Sequence, residues 1–268
     1  MSGAGAGGSP ALGGSAALGR VAAFGPHAAV VFGSGLATLP RDAVVREELT
    51  YDELGWPRTA VAGHANRLLL AEAPAEDGAR LRLALACGRP HLYEGWDEGE
   101  LGRCVRDLCS AGVSRVVLTN STGSLRPEVK PGAAVVCSAV SDLQSAPPGE
   151  EPPVLTVCSQ AEAEGAAAAL APHGRSGVYV AVAGPQFETP AEVAWLCNYG
   201  DVVGMSAAPE VRATRAAGAS CCLLALVANR AAAVGSHDEV LSGGAPLAAL
   251  LAGRLAATIA ARWPELRA

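Results

Sequence analysis

The side chains best suited to chemistry stand in one loop at residues 183–189, where the carboxylate of Glu188 follows the aromatic ring of Phe187. Thr189 and Glu192 have the spacing of a capping box, with a proline in the first helical position between them. This pattern predicts that a helix begins at the end of the loop. The helix start would fix the chain direction directly after Glu188 and so hold its carboxylate in place.

Two other polar segments end short apolar runs. Gly204-Met205-Ser206 follows a run at 201–203, and Asn229 ends the run from 221 to 228. Because ligand sites of α/β proteins gather at the carboxyl ends of strands, we expect these groups and Glu188 to share one pocket. A ring, a carboxylate and an amide suit the edge of a nitrogen heterocycle. The alternative interpretation is structural: Phe187 is a core ring and Glu188 a solvated loop charge. Ser206 would then cap a helix, and Asn229 would be a turn residue.

Two further segments are suited to an oxyanion. Gly33-Ser34-Gly35-Leu36 follows an apolar run at 28–32, and glycines there let the backbone approach an anion. It is not a dinucleotide fingerprint, because Thr38 stands where the third glycine would be. Arg89 offers a guanidinium fork that matches a phosphate, and His91 lies two residues further on. The alternative is a surface arginine and a buried, hydrogen-bonded histidine.

In residue type, order and spacing, these segments resemble the purine nucleoside phosphorylases of the trimeric type. The resemblance is carried by Val182-Ala183-Gly184-Pro185-Gln186-Phe187-Glu188-Thr189, by Val203-Gly204-Met205-Ser206 and by Pro209-Glu210-Val211. Gly88-Arg89-Pro90-His91-Leu92-Tyr93-Glu94-Gly95 closely resembles the family's Gly-Arg-x-His-x-Tyr-Glu-Gly. The resemblance implies a pentosyltransferase that acts in purine salvage.

The resemblance also implies roles for individual residues. Phosphate would be bound by Ser34, His64, Arg89, His91, the backbone amide of Ser121, and Ser206. The nucleoside would be bound by Tyr93, Phe187, Glu188, Val203, Gly204, Met205, Asn229 and His237. The groups assigned to catalysis are His91, Glu188 and Asn229. Without the resemblance, His64 in its glycine-flanked loop would be interpreted as an exposed histidine.

The implied reaction is phosphorolysis, in which a purine nucleoside and phosphate give the free base and ribose 1-phosphate. Glu188 would accept from N1–H of the base, and Asn229 would donate to N7 or the 6-oxygen. Because adenine has no hydrogen on N1, an ionised Glu188 would face a lone pair there, at a cost of roughly 1 to 3 kcal/mol. We therefore predict cleavage of inosine and guanosine, in ribo or deoxyribo form.

The chain departs from the family's pattern on the sugar side. In the family, a loop with Arg-Phe-Pro-x-Met-Ser-x-Ala-Tyr carries a phenylalanine that covers the ribose of a neighbouring subunit. Here a short acidic stretch at 145–153 stands in its place. Two other hypotheses therefore remain: a phosphorylase for 5′-modified purine nucleosides such as methylthioinosine, and a weakly catalytic paralogue that binds purine or phosphate. A dinucleotide-binding oxidoreductase is a third hypothesis, and the missing third glycine disfavours it.

Composition limits the partners. A net charge of -6 argues against nucleic acid and against anionic membrane surfaces. Eight cysteines without metal-ligand spacing fit reduced thiols in a cytoplasmic protein. We expect no apolar stretch of transmembrane length, no signal peptide, and no metal or organic cofactor, with phosphate as co-substrate. The resemblance implies a homotrimer.

The elements that must position these groups alternate along the chain. We predict strands at 28–32, 68–70, 81–87, 116–119, 134–137, 178–183, 201–203 and 221–228. We predict helices at 98–110, 160–171, 190 onwards, 209–217 and 246–263. This order predicts a single α/β domain over 21–268, with a largely parallel, mixed central sheet flanked by helices. Residues 1–20, rich in Gly, Ala and Ser, would form a flexible arm.

Overall fold

The computed structural model describes residues 12–74, 80–147, 149–233 and 237–267. Its strands are β1 (Ala28–Val31), β2 (Val44–Thr50), β3 (Arg67–Pro74), β4 (Arg80–Ala86), β5 (Arg115–Ser124), β6 (Ala134–Asp142), β7 (Val154–Thr156), β8 (Gly174–Ala181), β9 (Val202–Gly204) and β10 (Ser220–Arg230). Its α-helices are α1 (Leu12–Phe24), α2 (Tyr51–Leu54), α3 (Glu98–Leu101), α4 (Arg103–Ser110), α5 (Gln160–Ala168), α6 (Pro190–Leu196), α7 (Ala208–Ala216) and α8 (His237–Arg262). Short 3-10 turns cover Leu92–Glu94 and Pro264–Arg267.

The strands form one sheet that closes on itself at one end. Its order is β10-β6-β8-β9-β5-β1-β4-β3-β2, and β10 also pairs with β5. Strands β5, β10, β6, β8 and β9 therefore make a closed ring; β1, β4, β3 and β2 extend from it as an open sheet, and β7 pairs with β6. β5 pairs along its whole length with β10 and so is the element shared by the ring and the open sheet.

The α/β fold with a mixed central sheet flanked by helices is confirmed, but the sheet is less parallel than we expected. Among the described strands, five of the ten pairings are parallel and five are antiparallel. The antiparallel pairs are β2 with β3, β3 with β4, β5 with β9, and β6 with both β7 and β10; only β3 and β4 follow each other through a hairpin-length connection. Hairpin-length connections can join only antiparallel strands.

Helices cover both faces of the sheet. On one face, apolar residues of α1, α4 and α7 pack on the sheet, and on the other face those of α5 and α8 do so. In α8 the residues Leu247, Leu251, Leu255 and Ile259 recur every four positions and are buried. Within Asp238–Arg262 of α8 an 18-residue window has a mean hydropathy of 1.5, so this helix is long and apolar enough to cross a membrane by length and composition alone, which we did not expect from the sequence. Its buried stripe is what the core helix of a globular protein also shows.

Several local predictions differ from the structure: among them, the helix predicted at 246–263 begins at His237, and strand β7 was not predicted. Residues 12–20, which we assigned to the flexible arm, lie in α1, because Ala17 and Val21 are buried against the rest of the protein. Residues 1–11 lie outside the described part. The helix expected at 98–110 is divided at Gly102 into α3 and α4. Strand β2 was missed, and β5 continues through residues that we assigned to a loop at 120–123.

Candidate active site

A cavity of about 480 Å³ lies at the carboxyl ends of β1, β5, β9 and β10. Residues of the glycine loop after β1, of the 88–95 segment and of the 183–189 loop all contribute to its lining. Most of the residues that we assigned to the site line it: Ser34, His91, Tyr93, Ser121, Phe187, Glu188, Val203, Gly204, Met205, Ser206 and Asn229. The fold thus brings the segments suited to an oxyanion and those suited to a base into one cavity.

The glycine loop lies tightly against β5. A Cβ at Gly33 would stand 2.7 Å from the carbonyl oxygen of Thr119, so only glycine permits this approach. The Gly33 amide donates to the Thr119 hydroxyl at 3.1 Å. At the tip of the loop, Ser34 Oγ lies 2.9 Å from His64 Nε2. The hydroxyl of Ser34 is therefore oriented by a histidine next to the cavity.

His91 is held by a carboxylate that sequence reasoning had left without a role. Glu94 Oε1 lies 3.1 Å from His91 Nδ1 and accepts from the His91 amide at 2.8 Å. Burial alone would raise the pKa of Glu94, but hydrogen bonds from His91, Thr59 and Ala60 outweigh it and lower the pKa to about 2. Because Glu94 is ionised, Nδ1 of His91 is the protonated nitrogen, and Nε2 remains for other partners.

Tyr93 lies next to His91 in the lining of the cavity. Its ring stacks on that of His91, with centroids 4.9 Å apart and planes 15° from parallel. The His64 ring lies 5.8 Å from the His91 ring on a tilted plane. Burial, and then the charge of Glu94, raises the pKa of Tyr93 to about 12. The Tyr93 hydroxyl therefore stays protonated near neutral pH and is available as a donor.

Arg89 is not placed as we expected. Its side chain is only 2% exposed and it does not line the cavity. Nε donates to Glu210 at 2.6 Å, Nη1 donates to the Thr119 carbonyl at 2.7 Å and to Asn120, and Nη2 donates to the Val31 carbonyl at 3.3 Å. The buried carboxylate of Glu210 requires a paired cation, which accounts for this placement. The guanidinium charge lies behind the cavity wall.

Ser206 lines the cavity, and its hydroxyl also has partners in the wall. Its hydroxyl donates to Asn120 Oδ1 at 2.9 Å, while its oxygen is 3.5 Å from Arg89 Nη1. A hydroxyl has one proton, which in this arrangement is used by Asn120. The next residue, Ala207, has φ +74 at the start of α7, an uncommon conformation for alanine.

The opposite end of the cavity carries Glu188. The predicted capping box is present: Thr189 Oγ1 accepts from the Glu192 amide at 3.3 Å, and Glu192 accepts from the Thr189 amide at 2.7 Å. The loop bends at Gly184, which has φ +70 and packs against Met205 and Tyr93. Burial raises the pKa of Glu188 above its ordinary value.

Asn229 lies at a bulge in β10, where the register with β5 shifts between Val227 and Asn229. Its Nδ2 donates to the carbonyl of Arg230 at 2.8 Å, which leaves the second N–H and the amide oxygen for other partners. His237, the remaining nucleoside residue of the prediction, is the first residue of α8, and its side chain lies outside the described part.

Three residues that sequence reasoning did not assign support the wall of the cavity: Glu94, Asn120 and Glu210. Glu94 belongs to the 88–95 motif, and its spacing of three from His91 was a local signal for a contact. Asn120 and Glu210 meet Arg89 from 31 and 121 positions away in the chain. Nothing local in the sequence indicates those contacts.

Metal ligation has no support in the part of the chain that the structure describes, where no group of three or more His, Cys, Asp or Glu side chains could hold a metal ion. The cysteines, all within the described ranges, are free, as we expected. The described side chains of the cavity are instead suited to hydrogen bonding and to anion binding.

Comparison with known proteins defines the class. The sequence model of the Phosphorylase superfamily matches residues 84–260. The solved purine nucleoside phosphorylase of Schistosoma mansoni in complex with inosine has a TM-score of 0.73 and 26% identity, and the match covers 94% of this chain and 98% of that one. A structure of the Schistosoma mansoni enzyme with adenosine matches with the same TM-score of 0.73. The fold is that of a nucleoside phosphorylase.

A relative with higher sequence identity identifies the family within this class. The purine nucleoside phosphorylase of Mycobacterium tuberculosis is 37% identical over 245 residues, which cover 87% of this chain and 88% of the relative. The chain belongs to the purine nucleoside phosphorylase family. The resemblance inferred from the sequence motifs is thereby confirmed.

Proposed function

We propose that this chain catalyses phosphorolysis of 6-oxopurine nucleosides and deoxynucleosides, giving the free base and the pentose 1-phosphate. The observation that carries the proposal is the single cavity of about 480 Å³ whose lining includes Ser34 and His91 as well as Glu188 and Asn229. A binding module for either ligand alone would not need both groups of residues in one cavity. Phosphate is the co-substrate, and we propose no metal or organic cofactor.

The phosphate end must hold a nucleophile beside C1′ of the sugar. Ser34 and His91 offer donors from two neighbouring segments, and Arg89 contributes a positive charge from behind the wall. Because that guanidinium is paired with Glu210, the direct contacts to phosphate fall to the neutral donors of the lining. This arrangement orients one phosphate oxygen toward the bond that breaks, whose transition state has oxocarbenium character as in glycoside cleavage.

The base end must stabilise negative charge on the departing purine. Asn229 retains one N–H for N7 or the 6-oxygen, and Glu188 accepts from N1–H and from the 2-amino group of guanine. These contacts strengthen as charge develops on the ring, which is the condition for lowering the barrier. Phe187 lies beside Glu188 in the lining, where it offers a face for the flat base.

The test of this base preference is phosphate-dependent release of hypoxanthine from inosine and of guanine from guanosine, compared with adenine from adenosine. We expect kcat/KM for the two 6-oxopurine nucleosides to exceed that for adenosine roughly 5- to 150-fold, because an unpaired acceptor at Glu188 costs roughly 1 to 3 kcal/mol. The adenosine complex of the Schistosoma mansoni relative makes cleavage, not binding, the decisive readout. A preference for adenosine would contradict the roles of Glu188 and Asn229.

We also propose a cytoplasmic homotrimer that binds neither nucleic acid nor membranes. A second hollow, of about 390 Å³, lies on the other side of the 183–189 loop and is lined in part by Trp195. Trp195 is 50% exposed and packs edge-on to Tyr199, so an apolar surface is available for a subunit contact. Light scattering should give three times 26.8 kDa, and Trp195→Glu should lower that mass. A monomeric wild type would contradict the trimer.

A further inference from the structure

The loop that carries Glu188 is held at its start by hydrogen bonds to both main-chain polar groups of Val182. The Val182 amide donates to the carbonyl of Gly204 at 2.9 Å, which ties the loop to strand β9. The Val182 carbonyl accepts from the side-chain Nε2 of Gln144 at 3.0 Å. Because a carbonyl oxygen can only accept, the Gln144 atom that faces it is the amide nitrogen. The path of the chain from β8 toward Glu188 therefore depends on a side chain from outside the loop.

Gln144 is itself fixed by the buried carboxylate of Asp142, the last residue of β6. Asp142 Oδ1 accepts from the Gln144 amide at 3.0 Å, which closes a short turn over 142–144. Asp142 Oδ2 accepts from the Ser145 hydroxyl at 2.7 Å and from Nη1 of Arg212 on α7. A buried carboxylate requires such a paired cation. The 142–144 turn is therefore anchored to a helix.

The 142–144 turn lies behind the base end of the cavity. The Leu143 amide donates to the Ala181 carbonyl at 2.9 Å, so the turn runs beside the end of β8. Leu143 lines the second hollow together with Phe187 and Glu188, the two residues assigned to the base. Both of those residues also line the main cavity. The loop is thus the layer of chain between the two hollows, and the turn lies on its rear side.

The other end of the Gln144 side chain indicates what this residue contributes. Its Oε1 is buried and has no hydrogen-bond partner among the residues that the structure describes. A buried acceptor without a partner costs free energy. An apolar side chain of the same length would avoid that cost, but it would leave the Val182 carbonyl without its donor. The contribution of Gln144 is therefore the donor that holds the loop.

We propose that Gln144, oriented by Asp142 and Arg212, is a positioning residue that determines specificity for the 6-oxopurine base. Gln144 does not line the cavity, so it acts through the loop. It fixes the start of the loop while the Thr189 cap fixes its end, and together they place the Glu188 carboxylate opposite N1–H. A displacement of about 1 Å at such a group can cost on the order of 100-fold in rate. This inference rests on the proposed function, because it concerns the base end of that reaction.

Gln144→Met tests the proposal, because methionine has a similar length but no donor. We expect kcat/KM for inosine to fall roughly tenfold, with kcat/KM for adenosine and KM for phosphate within about twofold of wild type. Adenosine has no N1–H, so a displaced Glu188 costs it no hydrogen bond. The ratio of the kcat/KM values for inosine and adenosine should therefore fall, which a general loss of folded protein would not cause. Tm should stay close to wild type, because the variant loses one hydrogen bond and one unpartnered acceptor.

Gln160→Met is the matched control. Gln160 Nε2 donates to Glu164 at 2.8 Å and to Ser176 at 2.9 Å, and Gln160 does not line the cavity. This variant should leave the ratio for inosine and adenosine unchanged.

A double substitution tests the part played by Asp142. Asp142→Asn with Arg212→Gln removes both charges and leaves neither unpaired. If Asp142 acts through Gln144, adding Gln144→Met to this variant should lower the inosine to adenosine ratio by less than about twofold further. Effects that multiply independently would contradict the role given to Asp142.

The inference is overturned by an unchanged inosine to adenosine ratio in Gln144→Met, or by an equal fall in kcat/KM for both substrates. Calorimetric titration with hypoxanthine measures base binding without turnover. We expect its Kd to rise roughly tenfold in Gln144→Met and to stay unchanged in Gln160→Met. If the wild type binds hypoxanthine but releases no base from inosine, the proposed function fails, and these Kd values still decide the role of Gln144.

Discussion

At the scale of single residues, the ionised groups around the cavity differ in how they are held. Glu94 is fixed by several donors and is strongly acidic, with a pKa of about 2. Glu188 is half-buried with few donors, and its pKa is raised by that burial. The low pKa of Glu94 suits a carboxylate that orients a histidine. The raised pKa of Glu188 suits a carboxylate that gains its donors only from a bound base.

Replacing Glu188 with glutamine keeps the shape of the side chain but removes the ionised acceptor. We expect kcat/KM for inosine to fall roughly 10² to 10³-fold, the usual effect of losing one group that stabilises developing charge. Steady-state kinetics on purified protein checks this. Glu150→Gln, on the exposed acidic loop, is the matched control and should change kcat/KM less than about twofold. A Glu188→Gln enzyme within fivefold of wild type would contradict the assignment.

The raised pKa of Glu188 also predicts a pH dependence. Only the ionised form accepts from N1–H, and burial makes that form harder to reach. As pH falls, kcat/KM should therefore decline at a pH above the ordinary glutamate value of about 4.3. The pH profile of Glu188→Gln should lack this decline. A profile with the same acid limb in both proteins would assign the limb to another group.

Glu94 links stability to pH. Its folded pKa of about 2 lies below the unfolded value, so its contribution is present above about pH 4.3 and is lost as pH falls toward 2. We expect Glu94→Gln to lower the free energy of unfolding at pH 7 by an amount on the order of 2 kcal/mol. Between about pH 4.3 and 3, wild type should lose stability faster than the variant by about 1.4 kcal/mol per pH unit. Urea unfolding across this range measures both, and parallel pH curves would contradict it.

At the scale of elements, short segments next to strand ends set the positions of the cavity groups. The Thr189–Glu192 capping box was predictable because both halves lie within four residues of each other. Strand β2 was not, since its charged, exposed sequence at 44–50 lacks a core-facing pattern at the sheet edge. The continuation of β5 through 120–123 was not either, because pairing with β10 outweighs the low strand propensity of its Ser and Gly residues.

Removing the cap of α6 tests whether that helix start positions Glu188. Thr189→Ala should lower stability by about 1 kcal/mol and raise KM for inosine several-fold, because the loop before the cap loosens. Ser159→Ala removes an equivalent capping box from α5, which does not line the cavity. It should cost similar stability with no change in KM. Equal effects of the two substitutions on KM would contradict this role.

Close approach of the glycine loop to β5 can be tested in the same paired way. Gly33→Ala would place a Cβ 2.7 Å from a backbone oxygen, so the loop that carries Ser34 must shift. We expect KM for phosphate to rise about tenfold or more and stability to fall by about 1 to 3 kcal/mol. Gly165→Ala in α5 meets nothing within 4 Å and should stabilise by about 0.5 to 1 kcal/mol without changing KM. A Gly33→Ala enzyme with the wild-type KM for phosphate would contradict the claim that this close approach positions Ser34.

At the scale of the whole molecule, closure of the sheet through β5 and β10 joins two sets of groups that are far apart in sequence. The motifs at 33–36, 88–95, 183–189 and 203–206 were enough to predict the family and most of the cavity lining. The contacts of Arg89 were not predictable, because Glu210 lies 121 positions away and a sequence gives the charges but not their pairing. The same limit applies to Ser206, whose hydroxyl direction depends on Asn120.

The most direct test measures both products in one reaction mixture of inosine, phosphate and wild-type protein. If the cavity holds phosphate and purine together, hypoxanthine and ribose 1-phosphate should appear in equal amounts, and neither should form without phosphate. Release of hypoxanthine with free ribose in the absence of phosphate, or binding of both ligands with no product, would contradict phosphorolysis in this cavity.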